Sequence, residues 1–544
     1  MAGSRLELDP QWYRNAVIYE VMIRGFHDAN ADGIGDFPGL ISKLDYFSWL
    51  GVDCLWLLPW YPSPLRDNGY DISDYNGVHP DFGTIDDVAR LLDEAHARGI
   101  RVIADLVVNH TSDQHPWFVE SRTDRSNPKA DWYVWSDDPE RWSEARIIFV
   151  DTEVSNWTWD QQRGQYFWHR FFSHQPDLNY DNPAVTEAIF DAMATWLDLG
   201  LDGLRLDAVP YLFERDGTNG ENLPETHEWL KRLRQRVDET YPGRVLLAEA
   251  NQPPAEVVDY FGDGDECHMA FHFPVMPRMY RALRDHCGDT IAEALAETPA
   301  IPEGCQWGMF LRNHDELTLE MVTDAERAFM YSEYAAEPGM RRNVGIGRRL
   351  APLVNDDRRQ IELLHSLLLS LPGTPVLYYG DELAMGERME LGDRDPVRTP
   401  MQWDDSPNGG FSEAPSQQLY LPLIDDPTFG YRHRNVAAAV ADPDSLANWI
   451  RSMLALRSEV GVFGTGSYRH IATPAQRAIF AYQRGHDILC AVNVGRDAVS
   501  LTVGELAVGE GTAVLASSAG SSLSSASLEL EPYGWVWARL GARR

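Results

Sequence analysis

Short apolar runs alternate with segments of helical spacing along most of the chain, and this alternation sets the first expectation about the fold. AVIYEVMIRGF (16–26), DCLWLLPW (53–60) and IRVIADLVVNH (100–110) are strand-like. Between them, FPGLISKLDYFSWLG (37–51) has helical spacing closed by Gly51, and TIDDVARLLDEAHARG (84–99) runs from a Thr84 N-cap to Gly99. Near-continuous apolar strands joined by amphipathic helices predict a parallel sheet covered by helices. The alternation stops from 111 to about 178, a stretch rich in Trp, Asp and Ser. That is too long for a plain loop and reads as a small inserted domain.

The pattern resumes with a helix at 182–199, a strand at 201–209, a helix near 224–241 and the strand RVLLAEA (244–250). MAFHFPVM (269–276), GMFLRNHDE (308–316) and TPVLYYGDE (374–382) bring the strands to eight. Eight strand–helix units predict an α/β fold, a (β/α)₈ TIM barrel, rather than an open sheet. After a helix near 445–457 come short β-rich runs such as AIFAYQRG, ILCAVNVG and GWVWARL, separated by Gly, Asp and Ser turns. These predict a C-terminal antiparallel β-sandwich. The expected units are 1–110 with 179–461 for the barrel, 111–178 for the insert, and 462–544 for the sandwich.

Polar residues interrupt this pattern at strand ends. In GLDGLRLDAV (200–209), Arg205 and Asp207 alternate with leucines and share one side of a strand. Asp105, Asn109 and His110 close the third strand, Glu249 the fifth, and His314 and Asp315 the seventh. One such residue is an ordinary strand end meeting water. Several strands doing it together point their ions into a common mouth at the C-terminal face, where barrel enzymes carry their chemistry.

Composition narrows the ligand. The 544 residues carry a formal net charge of −36, which repels phosphate backbones and anionic lipid and suits neutral ligands and cations. Nucleic-acid and membrane partners are therefore not expected. The five cysteines (54, 267, 287, 305, 490) have no C-x-x-C spacing, as in reduced cytosolic proteins. No export signal and no apolar run long enough to span a bilayer is recognisable, so the expected location is cytoplasmic.

Carboxylates beside an arginine and histidines are the equipment for glycosyl transfer. Retaining cleavage of a glycosidic bond needs a nucleophilic carboxylate and a carboxylic acid about 5 Å apart. Asp207, next to Arg205, suits the nucleophile. Glu249 suits the acid/base, and Asp315 suits stabilisation of the oxocarbenium-like charge. DLVVNH (105–110), GLRLDAV (203–209), Glu249 in EA, and RNHD (312–315) resemble the four signature regions of the α-amylase superfamily, glycoside hydrolase family thirteen. The resemblance implies the same roles for Asp207, Glu249 and Asp315, with His110, Arg205 and His314 binding the glucose at the cleavage site.

DNGYDISDY (67–75) reads first as a turn, from its Asn68-Gly69 dipeptide. The family likeness adds that Tyr70 stacks on the sugar and that Asp67 grips its terminal hydroxyls. It also has Asp67 pair with Arg398 of RTPMQW, closing the pocket behind the non-reducing glucose. QPDLN (175–179), with Gln175, is similar to the branch containing oligo-1,6-glucosidases and sugar isomerases rather than endo-acting amylases.

Two metal sites are expected, neither catalytic. DANADGIGD (28–36) alternates Asp28, Asn30, Asp32, the Ile34 carbonyl and Asp36 like the front of an EF-hand loop, with Gly39 where a bidentate Glu belongs. A polar turn is the plain alternative. A second site is implied by the resemblance alone: Asn109, Asp177 and Glu214 with the carbonyls of Tyr211 and Leu212. Structural Ca²⁺, with a second Ca²⁺ or Mg²⁺, and no organic cofactor is the resulting expectation.

Isomerisation and hydrolysis share one glycosyl-enzyme intermediate and differ in what attacks it. An isomerase must cage the released glucose and exclude water. The excursion at 317–360 follows Asp315 directly, is long and partly helical, and resembles the active-site cover of the maltose–trehalose-interconverting branch. EANQPP (249–254) agrees, with Asn251 holding the leaving glucose. One departure is Asp395-Pro396, between Arg394 and Arg398, where Asn-Gly is more usual. The expected reaction interconverts maltose and trehalose with retention, leaking some glucose. The alternatives are an exo-acting α-glucosidase and a non-catalytic amylase-like binding module. A homo-oligomer is expected, and a separate maltokinase partner is left open.

Overall fold

Eight parallel strands close into a barrel in sequence order: β1 (Ile18–Val21), β2 (Cys54–Leu57), β3 (Arg101–Val107), β4 (Gly203–Asp207), β5 (Val245–Ala248), β6 (Met269–Phe271), β7 (Gln306–Phe310) and β8 (Thr374–Tyr378). Ile18 pairs with Cys54 of β2 on one side and Val376 of β8 on the other, which seals the ring. The computed structural model describes residues 9–473, 475–502 and 511–541. Residues 1–8, part of the stretch read for an export signal, lie outside the described residues, as do 503–510 and 542–544 of the expected C-terminal unit.

The expected barrel is the observed one, and its register carries the chemistry inward. β3 and β4 pair Asp105 with Arg205 and Val107 with Asp207, so a charge pair inside the barrel follows from strand alignment. Gly203 starts β4 against Val245; a Cβ there would stand 2.3 Å from the Val245 side chain, so glycine permits the approach of β4 to β5. Helix Ile85–Ala97 opens with a capping box in which Thr84 and Asp87 bond each other's backbone N–H. The single helix expected at 37–51 is two, Phe37–Ser42 and Leu44–Leu50. Lys43 leaves the helical region between them (φ −105°, ψ 5°), and Gly51 closes the second at φ 91°.

Segment 111–178 carries a three-stranded antiparallel sheet, in the order Trp135–Ser136, Gln165–Trp168, Trp157–Asp160, over a cluster of Trp142, Trp157 and Trp168. An isolated bridge between His110 and Asp177 ties it to the end of β3, and another between Tyr133 and Leu178 lies within the segment itself. The excursion after β7 folds into a helix, Asp324–Tyr334, and a three-stranded sheet of Leu317–Thr318, Gly345–Ile346 and Arg341–Arg342.

At the C-terminus, a five-stranded and a three-stranded antiparallel sheet enclose Ile479, Ala481, Leu489, Ala491, Leu528 and Val536. The alternate residues Phe480, Tyr482, Cys490, Trp535 and Trp537 face the barrel and join its core. Both faces of the larger sheet are therefore buried. All five cysteines are free and buried. No helix among the described residues is long and apolar enough to cross a membrane.

Candidate active site

At the C-terminal ends of the strands lies a small pocket of about 110 Å³, lined by Asp67, Tyr70, His110, Asp207, Glu249, Asn251, His314, Asp315 and Arg394, among others. A larger cavity of about 880 Å³, among Trp12, Asp53, Arg101 and Arg457, sits at the strands' N-terminal ends, away from these carboxylates. Volume alone does not mark the chemistry.

Arg205 is the hub beneath the pocket. It is 1% exposed and spans three carboxylates: Asp105, Asp207 at 2.6 Å and Glu249 at 2.9 Å. Asp105 is held from the other side by Trp56 Nε1 at 2.9 Å. Asp207 and Glu249 thus stand on two nitrogens of one guanidinium, close enough to flank a single bond. Burial pushes Glu249 up to about 8 and Asp207 up to about 7, in each case against the pull of Arg205. Both carboxyls are thus raised by burial and held by one guanidinium, the setting in which one of a pair can keep a proton while the other ionises.

Asp315 goes the other way. Burial opposes its charge, but His314 at 3.1 Å, Arg394 at 2.9 Å and Arg398 at 3.0 Å hold it well below the usual carboxylate range. It is an anion fixed in the pocket lining beside Glu249 and Asp207.

The turn after Asp207 is strained. Ala208 adopts left-handed angles (φ 52°, ψ 33°), unusual for a residue with a Cβ, and its N–H donates to Glu249 Oε2 at 3.1 Å. Asn68 and Gly69 also take positive φ (50° and 109°), and a Cβ on Gly69 would stand 2.8 Å from the Pro59 carbonyl. That turn brings Asp67 and Tyr70 to the rim. Tyr70 lies flat on His314, ring centroids 5.4 Å apart, and its hydroxyl is 2.9 Å from His314 Nε2.

Three expected ligands of the sugar stand one layer back. Arg205 and Arg398 are consumed by carboxylates, and Gln175 Nε2 donates to Asp67 at 2.9 Å, so all three support the lining rather than form it. The pairing of Asp67 with Arg398 is also corrected: Arg394 is the ion-pair partner of Asp67, while Arg398 donates to the His314 carbonyl at 2.8 Å and to Asp315. Both arginines lie downstream of β8, and the turn Asp395–Val397 between them points Arg394 forward and leaves Arg398 buried beneath Asp315. Two lining groups remain without partners: His110 Nε2 and Asn251 Oδ1. Burial holds His110 down near 3, so it is neutral.

Residues that the sequence reading did not single out complete the enclosure. Asn251 Nδ2 donates to Thr318 at 3.0 Å and Glu320 at 3.1 Å, both from the excursion. Arg146 of the inserted segment pairs with Glu320 at 2.9 Å and Glu221 at 2.8 Å. Asn343 N donates to Asp151 at 2.7 Å, a second tie between excursion and insert. Ile148 and Phe149 supply an apolar wall. Apart from Asn251, already expected at the leaving glucose, and Glu221, on the loop after β4, these residues lie in long insertions with no periodicity to mark them.

The metal expectations divide on the donor atoms. Asp28 accepts from the N–H groups of Asn30, Ala31 and Gly33 and from Ser412, and Asp36 caps the helix at Gly39, so the buried carboxylates of this loop have protein partners. Asn30 and Asp32 accept from the backbone of Asp32 and Ile34. The second set is different. Asn109 Oδ1 and Asp177 Oδ2 are buried without partners, Asp177 and Glu214 repel each other, and burial pushes Glu214 to about 8. Tyr211 and Leu212 lie on the turn leading to Glu214. Orphaned oxygens and unbalanced negative charge fit a hard cation. Among the described residues no group of three or more His, Cys, Asp or Glu side chains is gathered as a metal site, so such an ion would need the amide and carbonyl oxygens as well.

The fold and the arginine-centred carboxylates define a class, and the chain belongs to the α-amylase family: the model of the α-amylase catalytic domain matches residues 20–336 and 347–466. Within that family its similarity is to trehalose synthases. It is 62% identical to the trehalose synthase/amylase TreS of Mycolicibacterium smegmatis, over 88% of this chain and 81% of that protein. It is 59% identical to the trehalose synthase of Pimelobacter, over 89% and 87%. Among solved structures, the trehalulose synthase MutB of Pseudomonas mesoacidophila superposes with a TM-score of 0.80 at 30% identity, over 97% of this chain and 99% of that one.

Proposed function

We propose that the protein is a maltose α-D-glucosyltransferase that interconverts maltose and trehalose within one closed pocket. The observation that carries this reading is that both insertions reach the pocket: Ile148 and Phe149 of one and Thr318 and Glu320 of the other line it beside the three acids, fastened by Asn251–Glu320 and Arg146–Glu320. The similarity to trehalose synthases supports the same substrates.

In this reading ionised Asp207 attacks the anomeric carbon of the non-reducing glucose as the glycosidic C–O bond breaks. Glu249 delivers its proton to the departing oxygen, leaving a β-glucosyl ester on Asp207. Asp315, held anionic by Arg394 and Arg398, stabilises the oxocarbenium-like charge in each step. The freed glucose turns beneath the insertions. Its anomeric hydroxyl then gives its proton to Glu249 and attacks the anomeric carbon of the bound glucosyl group, so the C–O bond to Asp207 breaks and configuration is retained overall. Water attacking instead gives glucose, the minor product. His110 Nε2 and Asn251 Oδ1 are free to hold sugar hydroxyls.

Asn109, Asp177 and Glu214, with the carbonyls of Tyr211 and Leu212, would hold a structural Ca²⁺ that braces the junction of β3 with the insert. Incubation with maltose tests the reading. Trehalose as the main early product supports it, whereas glucose with negligible trehalose makes the protein an exo-acting α-glucosidase.

A further inference from the structure

Glu20 has no place in the machinery described so far, yet it is the one charged residue of β1. Period two turns Tyr19 outward, where it packs on Phe47, and turns Glu20 into the barrel, where it is 0% exposed. Its Oε1 stands 2.5 Å from His314 Nδ1 and 3.2 Å from the His314 backbone nitrogen, while Oε2 has no hydrogen-bond partner. The other ring nitrogen, Nε2, is 3.1 Å from Asp315 Oδ2 and 2.9 Å from the Tyr70 hydroxyl. Stacking on Tyr70 and the edge of Trp56, 5.9 Å away, fix the plane of the ring.

An imidazole between two carboxyl groups is attracted to both only if the Glu20–His314 pair holds two protons. A neutral ring protonated at Nδ1 would turn the Nε2 lone pair onto ionised Asp315. We infer that Glu20 is a positioning residue for the reaction: by holding Nδ1, it presents Nε2–H of His314 to Asp315 and to a sugar hydroxyl in the pocket. Burial raises Glu20 well above the usual carboxylate range and lowers His314, both toward the neutral forms in which the Glu20 carboxyl gives its proton to the Nδ1 hydrogen bond. Asp315 and Asp105 favour that proton and Arg205 opposes it. A neutral acid also makes the unpartnered Oε2 tolerable in the core. The assignment rests on the retaining α-glucoside reading above, though not on trehalose being the product.

Glu20→Leu and Glu20→Gln in the full chain, assayed on an aryl α-glucoside with Tm measured in parallel, test it. Leu fills the space without a partner for Nδ1. Its kcat is expected to fall about 10- to 100-fold, the usual cost of removing the group that orients a site histidine, with KM changed by no more than about threefold. Its Tm is expected to fall, because His314 Nδ1 and the His314 backbone N–H lose their buried partner. The kcat-against-KM split and the Gln variant, rather than Tm, therefore carry the test. Gln can still donate to Nδ1 and should stay within about tenfold of wild type. If Leu does not fold, Glu20→Met takes its place. Wild-type kcat in the Leu variant, or equal impairment of Leu and Gln, overturns the assignment while leaving the retaining reading intact. A wild-type chain inactive on aryl α-glucosides overturns that reading and this assignment with it.

Discussion

The division of labour among the three pocket acids comes from their surroundings rather than from their residue types. Asp207 is buried, and Glu249 and Asp315 are half-buried. Asp315 is matched by two guanidinium groups, Arg394 (shared with Asp67) and Arg398, while Asp207 and Glu249 share the single Arg205 with Asp105. Since turnover needs Asp207 ionised and Glu249 protonated, kcat/KM should rise with pH through about 7 and fall through about 8, a narrow bell. A rate that keeps rising above pH 9 would contradict the roles assigned. Asp207→Asn removes the nucleophile and should cost on the order of 10⁴-fold in kcat or more, with folding unaffected by circular dichroism. These acids were legible in the sequence because each is a charge at the end of an apolar strand. Glu20 carries the same signal, a carboxylate inside VIYEVM, but it sits mid-strand and was absorbed into the run. The Arg394–Asp67 pair was not legible, because two arginines four residues apart have equal claims until the intervening turn decides which one faces forward.

At the scale of elements, the two insertions meet at the barrel mouth, and the proposed reaction depends on that meeting. Arg146 from one and Glu320 from the other form an ion pair, with Asn251 of the loop after β5 bonded to the same glutamate. Glu320→Ala removes one of the two ties between the insertions, leaving Asn343–Asp151, without touching the three acids. The ratio of glucose to trehalose formed from maltose should rise severalfold while aryl α-glucoside hydrolysis persists, as measured by product chromatography. An unchanged ratio would mean that the insertions are held by other contacts. The barrel strands and their helices were readable from periodicity, because each buries a face of fixed repeat. The break at Lys43 was not readable, because residues 37–51 keep helical spacing of apolar positions straight across it. The fold of the excursion was hidden for the opposite reason: its strands are two residues long, too short to show a period.

For the whole molecule, the barrel supplies rigidity and the attached parts supply enclosure. The C-terminal sheet packs Trp535 and Trp537 into the barrel core, and Trp537 donates to Ser366 at 3.0 Å, so the two parts share one hydrophobic interior. If a cation relieves the repulsion between Asp177 and Glu214, chelation should lower Tm by about a few degrees and added Ca²⁺ should restore it. Calorimetry with and without EDTA checks this, and a flat response would leave Asn109 and Asp177 to ordered water. The central claim is that the liberated glucose never leaves before it is rejoined. Maltose incubated with an excess of ¹³C-labelled free glucose, with the trehalose analysed by mass spectrometry, tests it most directly. Trehalose carrying almost no label is the predicted result; trehalose labelled in proportion to the external glucose would contradict it.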